Sequence, residues 1–300
     1  MYFIFPVLFI VFALFCLWLF AIAPQIRNRP DLSKLAEYDY AHRGLHNKNS
    51  GIPENSLAAF RLAAECGFGM EFDLMLSKDG VVMVHHDETL LRMCGVDIRV
   101  SALTAQQLRQ YRLYDTDEVI PTFQETLDAV GRRTPLIIEL KPSRSVEELC
   151  TATWDILKDY KGLYCIESFD PRVVKWFKEN HPGVVRGQLM ENLKANKELT
   201  VFEAFAGQNM LSNFLTRPNF EAYDYKYRSC PSLRLARKMF GMQEVSWTVR
   251  DLDIYKELKD DNCIIIFEGF QPYSDRKRVF SSNFETKTTT TAAEAAQKNS

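Results

Sequence analysis

From position 39 onward, short apolar runs of β type alternate with segments whose apolar residues recur every three to four positions. The runs lie at 39–44, 69–74, 136–141, 163–168, 184–189, 210–214, 244–249 and 263–268. Between them fall amphipathic helical patterns such as "NSLAAFRLAAECG", "TFQETLDAVG", "SVEELCTATWDILKDY", "DPRVVKWFKENH", "PSLRLARKMFG" and "DLDIYKELKDD". Eight β–α units predict a (β/α)8 barrel, which places an active site at the carboxyl ends of the strands.

One further run, "VVMVHHD" at 81–87, breaks the alternation, because only "SKDG" separates it from the second strand. Parallel neighbours need a crossover of a dozen or more residues, so this pair must form an antiparallel hairpin that protrudes from the barrel rim. A fold about Asp79-Gly80 sets residue 73 opposite residue 86 and returns His86 to the level of Asp73. Residues 88–120 then make an excursion, a small subdomain or lid, and 286–300, "TKTTTTAAEAAQKNS", read as a disordered tail.

The N-terminus follows a different pattern. Tyr2 to Ala23 holds no charged residue, and its 22 residues suffice to cross a hydrocarbon core as a helix. No basic segment precedes it, and Pro24 directly follows the cleavage-like "AIA", so 1–23 reads as an uncleaved transmembrane anchor. Residues 24–37 read as a juxtamembrane linker and 38–285 as the catalytic domain. Arg27, Arg29 and Lys34 follow the span, and nothing basic precedes it. The positive-inside bias therefore predicts a single-pass protein with its catalytic domain in the cytoplasm. A formal charge of -2 gives no electrostatic reason to expect nucleic acid. The seven cysteines are scattered, without disulfide-framework or zinc-site spacing, as expected of reduced thiols.

Candidate chemistry gathers at the strand ends. Glu71 and Asp73 are two apart on one strand, so both side chains face one way. Two carboxylates aimed into a barrel mouth repel each other unless a cation sits between them, and Ca²⁺ and Mg²⁺ prefer all-oxygen ligands. Glu139 and Lys141 repeat the spacing on the third strand, adding a third carboxylate and a fixed positive charge. His42 ends the first strand, and His86 approaches from the hairpin. Phosphoryl transfer between oxygens needs a base for the nucleophile and an acid for the leaving alkoxide, roles an imidazole fills at neutral pH. Arg43 and Lys141 are placed to hold non-bridging phosphate oxygens. His85 reads as structural and His46 as a solvated loop residue.

Together "AHRG", "PENS", "MEFDLMLSKDGVVMVHHDETLLR" and "IIELK" resemble the glycerophosphodiester phosphodiesterase family, with "ESF" at 167–169 and "SWTV" at 246–249 matching in kind. The resemblance runs from about Tyr38 to Phe270 and is dense to Lys141. It implies a TIM barrel that hydrolyses glycerophosphodiesters to an alcohol and sn-glycerol 3-phosphate. By that likeness His42 and His86 are the acid–base pair, and Glu71, Asp73 and Glu139 bind one divalent cation, Ca²⁺ or Mg²⁺. Arg43 and Lys141 would hold phosphate, and Trp247 would line the substrate pocket. The family's eighth strand ends in Thr-Asp-x-Pro, whereas "FEGF" stands at 267–270 here, so Glu268 takes the acid's place or the rim has diverged. The anchor suggests substrates at or from the bilayer. Alternatives are a lysophospholipase D, a phosphodiesterase acting on a glycerol-phosphate polymer, or an inactive membrane-tethered binding barrel. The last would require a missing site residue, and none is missing.

Overall fold

The computed structural model describes residues 4–143, 145–191 and 200–272; the tail at 286–300 lies outside them. Its centre is a closed barrel of eight parallel strands: β1 (Tyr40–Ala41), β2 (Gly69–Leu76), β4 (Leu136–Leu140), β5 (Tyr164–Ser168), β6 (Arg186–Met190), β7 (Phe220–Asp224), β8 (Gln243–Val249) and β9 (Ile264–Phe267). Closure comes from β1, which pairs with β2 on one side and β9 on the other. The ninth strand, β3 (Val82–Val84), pairs antiparallel with the upper end of β2 and stands outside the barrel.

Alternation along each strand separates two cores. Phe72, Ile138 and Ile166 face outward and pack with Phe60, Phe123 and Phe177 of the surrounding helices. Ile137, Cys165, Val185, Phe220, Val245 and Ile264 face inward and fill the barrel. Gly187 makes room for this filling, since a Cβ there would meet the Phe220 ring at 2.0 Å. Leu35, on the short helix Ser33–Ala36, joins the interior cluster from below, and its carbonyl accepts the Tyr40 hydroxyl at 2.8 Å. Residues ahead of β1 therefore close the floor of the barrel.

Seven of the eight predicted strands overlap barrel strands, six of them with carboxyl ends within two residues, while β1 stops at Ala41, three residues short of the predicted end. The sixth does not. Residues 210–214 form a turn leading into the helix Asn213–Thr216, and the sixth barrel strand is β7 at Phe220–Asp224. "MLSNF" has its apolar residues at helical spacing, while Glu221 interrupts the apolar signal of the true strand. The hairpin also differs from expectation by one residue. Leu74 pairs with Val84 and Leu76 with Val82, so Asp73 lies opposite His85, not His86. The cause is a three-residue loop, 78–80, closed by Ser77 N–H to Val81 O, with Gly80 at a φ of 77°. The excursion after β3 carries its own apolar cluster of Met83, Leu90, Met93, Val100, Leu108 and Ile120.

The N-terminal helix Ile4–Ile22 is long and apolar enough to cross a membrane by length and composition. Its last turn is not free: Ile22 is buried against Met190, Met210, Tyr223 and Leu233.

Candidate active site

The inward phase of the strands that carries Ile137 and Cys165 also carries Glu71, Asp73, Glu139 and Glu167. Register sets Asp73 beside Glu139 and Glu139 beside Glu167, so three adjacent strands present carboxyls at one level. All four are buried. Glu71, Asp73 and Glu139 each offer an oxygen such that the three lie within 4.8 Å of one another. Burial, followed by repulsion from neighbouring carboxylates, pushes Glu71 well above the usual carboxylate range. Burial raises Glu139 as well. Asp73 goes the other way: burial would raise it, but Lys141, His86 and Arg43 outweigh that and hold it low. An all-oxygen, buried, mutually repelling donor set of this kind fits a hard divalent cation.

The turn after β1 supplies the positive groups. Arg43 adopts a φ of 54° and Gly44 one of 81°, and a Cβ at Gly44 would sit 2.9 Å from that of Ala59. This tight turn aims the Arg43 backbone N–H at Glu71 Oε2, 3.0 Å away. The Arg43 guanidinium donates to Glu54 at 2.6 Å, and its Nε lies 3.6 Å from Asp73 Oδ2. Lys141 Nζ lies 2.8 Å from Glu139 Oε1 and 3.4 Å from Asp73 Oδ1. Burial works against the Lys141 ammonium, but Glu139 and Asp73 more than compensate and keep it charged.

His42 stands at the carboxyl end of β1, its backbone N–H bonded to Phe267 O. Its Nδ1 donates to Glu268 Oε2 at 2.5 Å, which directs Nε2 toward Glu71 Oε2, 3.9 Å away. Burial lowers the His42 pKa, against the pull of Glu268. Glu268 itself feels a burial penalty, yet His42 and Arg250 hold it at about 2. His86 lies past the end of β3, its Nδ1 2.6 Å from Asp87 Oδ1. Asp87 also receives Arg92 Nε at 2.7 Å, and Arg92 reaches Glu54 with both terminal nitrogens at 2.8 Å. One continuous ionic chain thus links Arg43 through Glu54, Arg92 and Asp87 to His86.

Of the residues singled out from sequence, His42, Arg43, Glu71, Asp73, Glu139 and Lys141 converge directly. His86 lies near enough for its charge to act on Asp73 and Glu139. Trp247 sits on β8, its ring edge-on to Phe169 at 5.7 Å and its buried Nε1–H without a hydrogen-bond partner. His85 is buried with Nε2 3.4 Å from Thr89 O, in keeping with a structural role. His46, expected in solvent, is partly buried, and its Nε2 is closed off without a partner.

Sequence reasoning passed over five residues here. Asn55, at a φ of 52°, donates from Nδ2 to Asp73 Oδ2 at 2.8 Å, while Ser56 takes the helix cap. Glu54, Asp87 and Arg92 build the chain to His86. Glu167 stands beside Glu139, its Oε2 unpartnered, and burial raises its pKa well above the usual range. All five lie within motifs already quoted, "PENS", "HHDETLLR" and "ESF". Glu167 is the residue two beyond Cys165 in the inward phase of its strand.

The family model for the glycerophosphoryl diester phosphodiesterase family matches residues 42–268. A glycerophosphodiester phosphodiesterase of Caldanaerobacter subterraneus subsp. tengcongensis is 37% identical over 109 residues, 34% of this chain and 44% of that protein. A lysophospholipase D of Rattus norvegicus is 33% identical over 151 residues, 46% of each chain. The match thus spans about half the length of these relatives. The Oleispira antarctica phosphodiesterase, solved with its product sn-glycerol-3-phosphate, shares the fold at a TM-score of 0.63 and 24% identity, over 77% of this chain and 92% of that one. The chain belongs to the glycerophosphoryl diester phosphodiesterase family.

Proposed function

We propose that this protein hydrolyses glycerophosphodiesters to an alcohol and sn-glycerol 3-phosphate at a membrane surface. Glu71, Asp73 and Glu139 hold one divalent cation, Ca²⁺ or Mg²⁺, and His42 and His86 serve as the acid–base pair. The observation that carries this reading is the convergence of three buried carboxylates with an imidazole and two cationic side chains at the carboxyl ends of β1, β2 and β4. A bound cation supplies positive charge that polarises a phosphoryl oxygen. The remaining work falls to side chains. Cleavage breaks one P–O bond and forms another, so one proton leaves the nucleophile and one reaches the departing alkoxide. With Nδ1 engaged by Glu268, His42 keeps Nε2 for that exchange; with Nδ1 on Asp87, His86 does likewise. Arg43 and Lys141 neutralise non-bridging oxygens, and Trp247 borders the substrate pocket. Residues 1–23 anchor the chain, with 38–285 as the catalytic domain on the cytoplasmic side.

A second reading, a lysophospholipase D, is favoured by the rat relative of that name together with the apolar N-terminal helix. One assay separates these readings and tests both. Full-length protein is given glycerophosphocholine or lysophosphatidylcholine, with excess chelator and then with Ca²⁺ or Mg²⁺ restored. Chelation should abolish turnover and the restored ion should recover it; full turnover in chelator would remove the cation from the mechanism. Replacing His42 or His86 by Ala should lower kcat by ~10²-fold or more with the thermal midpoint unchanged. Undiminished turnover in either variant would strike that histidine from the pair.

A further inference from the structure

We infer that the N-terminal helix is locked onto the barrel in one orientation, which holds the catalytic mouth flat against the bilayer. The inference rests on the membrane reading above and adds a direction to it. The direction follows from which residues the helix touches. At its lower end, Gln25 N–H donates to Pro218 O at 3.0 Å, just before the amino end of β7. Gln25 Oε1 accepts from Arg186 Nη2 at 2.6 Å and from Asn219 Nδ2 at 3.2 Å. Higher up, Trp18 Nε1 donates to Ser232 Oγ at 3.2 Å, at the start of the Pro231–Phe240 helix that follows the carboxyl end of β7. From residue 25 to residue 18 the chain therefore climbs from the floor of the barrel to its catalytic rim. Residues 17 back to 4 continue in that direction, past the rim.

The junction is built to resist bending. Arg217 donates from one terminal nitrogen to Phe20 O at 2.9 Å and Ala23 O at 2.8 Å, satisfying carbonyls that a helix end leaves open. Its guanidinium also lies 4.5 Å over the Phe20 ring, and Asn213 Nδ2 lies 3.4 Å from Ile22 O. Exposed apolar side chains remove the remaining slack. Phe12, Phe15, Leu17 and Phe20 stay exposed down to the docked turn. A bilayer that covers them reaches down to that turn, and so to the rim beside it. A second apolar contact lies on the same side. The helix Val201–Gln208 follows β6, and Val201 and Phe205, one turn apart on one face, are 90% and 56% exposed. The occupant of this face is the lipid headgroup layer.

The test uses the full-length protein in phosphatidylcholine vesicles that contain a headgroup-linked quencher lipid. A fluorescent amino acid is introduced at Asn49, exposed on the rim loop, or at Lys161, exposed beneath β5. Flotation first reports whether the protein binds vesicles, and failure there counts against the membrane reading itself. Given flotation, the label at 49 should be quenched at least threefold more than the label at 161. Equal or reversed quenching overturns the orientation. Arg217→Ala should float and keep its turnover of soluble glycerophosphocholine while the difference between the two labels shrinks; an undiminished difference would remove the clamp as its cause. Ser232→Ala, a milder cut at the Trp18 contact, should shrink the difference partially and serves if the arginine variant does not fold.

Discussion

At the scale of single residues, the instructive substitution in this family pattern is Glu268. The motif expected at the end of the last strand is absent, yet the carboxylate that replaces it bonds His42 Nδ1 at 2.5 Å and pairs with Arg250 at 2.9 Å. A group held at about 2 stays ionised at any working pH, so the His42 tautomer and ring orientation are fixed throughout. Glu268→Gln keeps an acceptor but removes the charge that favours imidazolium. The expected result is a kcat lower by about 10²-fold and a His42 limb of the pH–rate profile displaced to lower pH. A lowered rate with an unmoved limb would make the role of Glu268 purely steric. The sequence named the carboxylate but not its partner, because only the closed barrel brings residue 268 to residue 42. Asn55 was hidden for another reason. Asn and Ser are both good helix caps, and nothing local tells which of the two caps and which turns inward to Asp73.

At the scale of elements, the sixth barrel strand shows what a buried charge does to legibility. Outward positions of a barrel strand are normally apolar, and Glu221 holds one of them on β7 while being fully buried. Its Oε2 accepts Asn213 Nδ2 at 3.1 Å and its Oε1 has no partner. Burial lifts this carboxyl to about 8. The folded pKa exceeds the unfolded one, so folding favours the protonated form. The stabilisation is complete below about 4.5, the unfolded value, and is lost as pH rises toward about 8. In that window wild-type stability should fall relative to Glu221→Gln by up to ~1.4 kcal/mol per pH unit. Urea midpoints of both proteins at pH 5 and pH 8 measure it; a stability difference that is the same at both values would sink the assignment. The hairpin carries the complementary lesson. Its existence was plain from loop length alone, but its register was not, because "SKDG" supports either a two-residue or a three-residue loop and Ser77 decides in favour of the latter.

For the whole molecule, barrel closure and the site level were legible from alternation and spacing, whereas the role of residues 24–37 was not. A polar stretch with scattered prolines reads as a linker, yet Leu35 is buried in the barrel interior with Tyr40, Ile137 and Ile264. Nothing in a local pattern reports that a single leucine closes a cavity formed largely by strands more than a hundred residues away. Removing residues 1–23 should therefore leave a cooperatively folding barrel, whereas removing 1–36 should cost a further ~2–5 kcal/mol, the range for deleting a buried leucine. Equal thermal midpoints for the two truncations would show the floor to be dispensable.

The seam of the barrel also orders events in time. Tyr40 pairs with Gly69 on one side and with Ile266 on the other, so the earliest strand to be made waits for the latest. During synthesis the floor residue Leu35 emerges before any barrel strand, and β9, which packs against it, emerges after all the others. A ribosome-bound chain would thus carry an open sheet until β9 arrives, with long-range pairing setting the pace. Assembly of the rim is then a late step of maturation, completed only when the last barrel strand is in place.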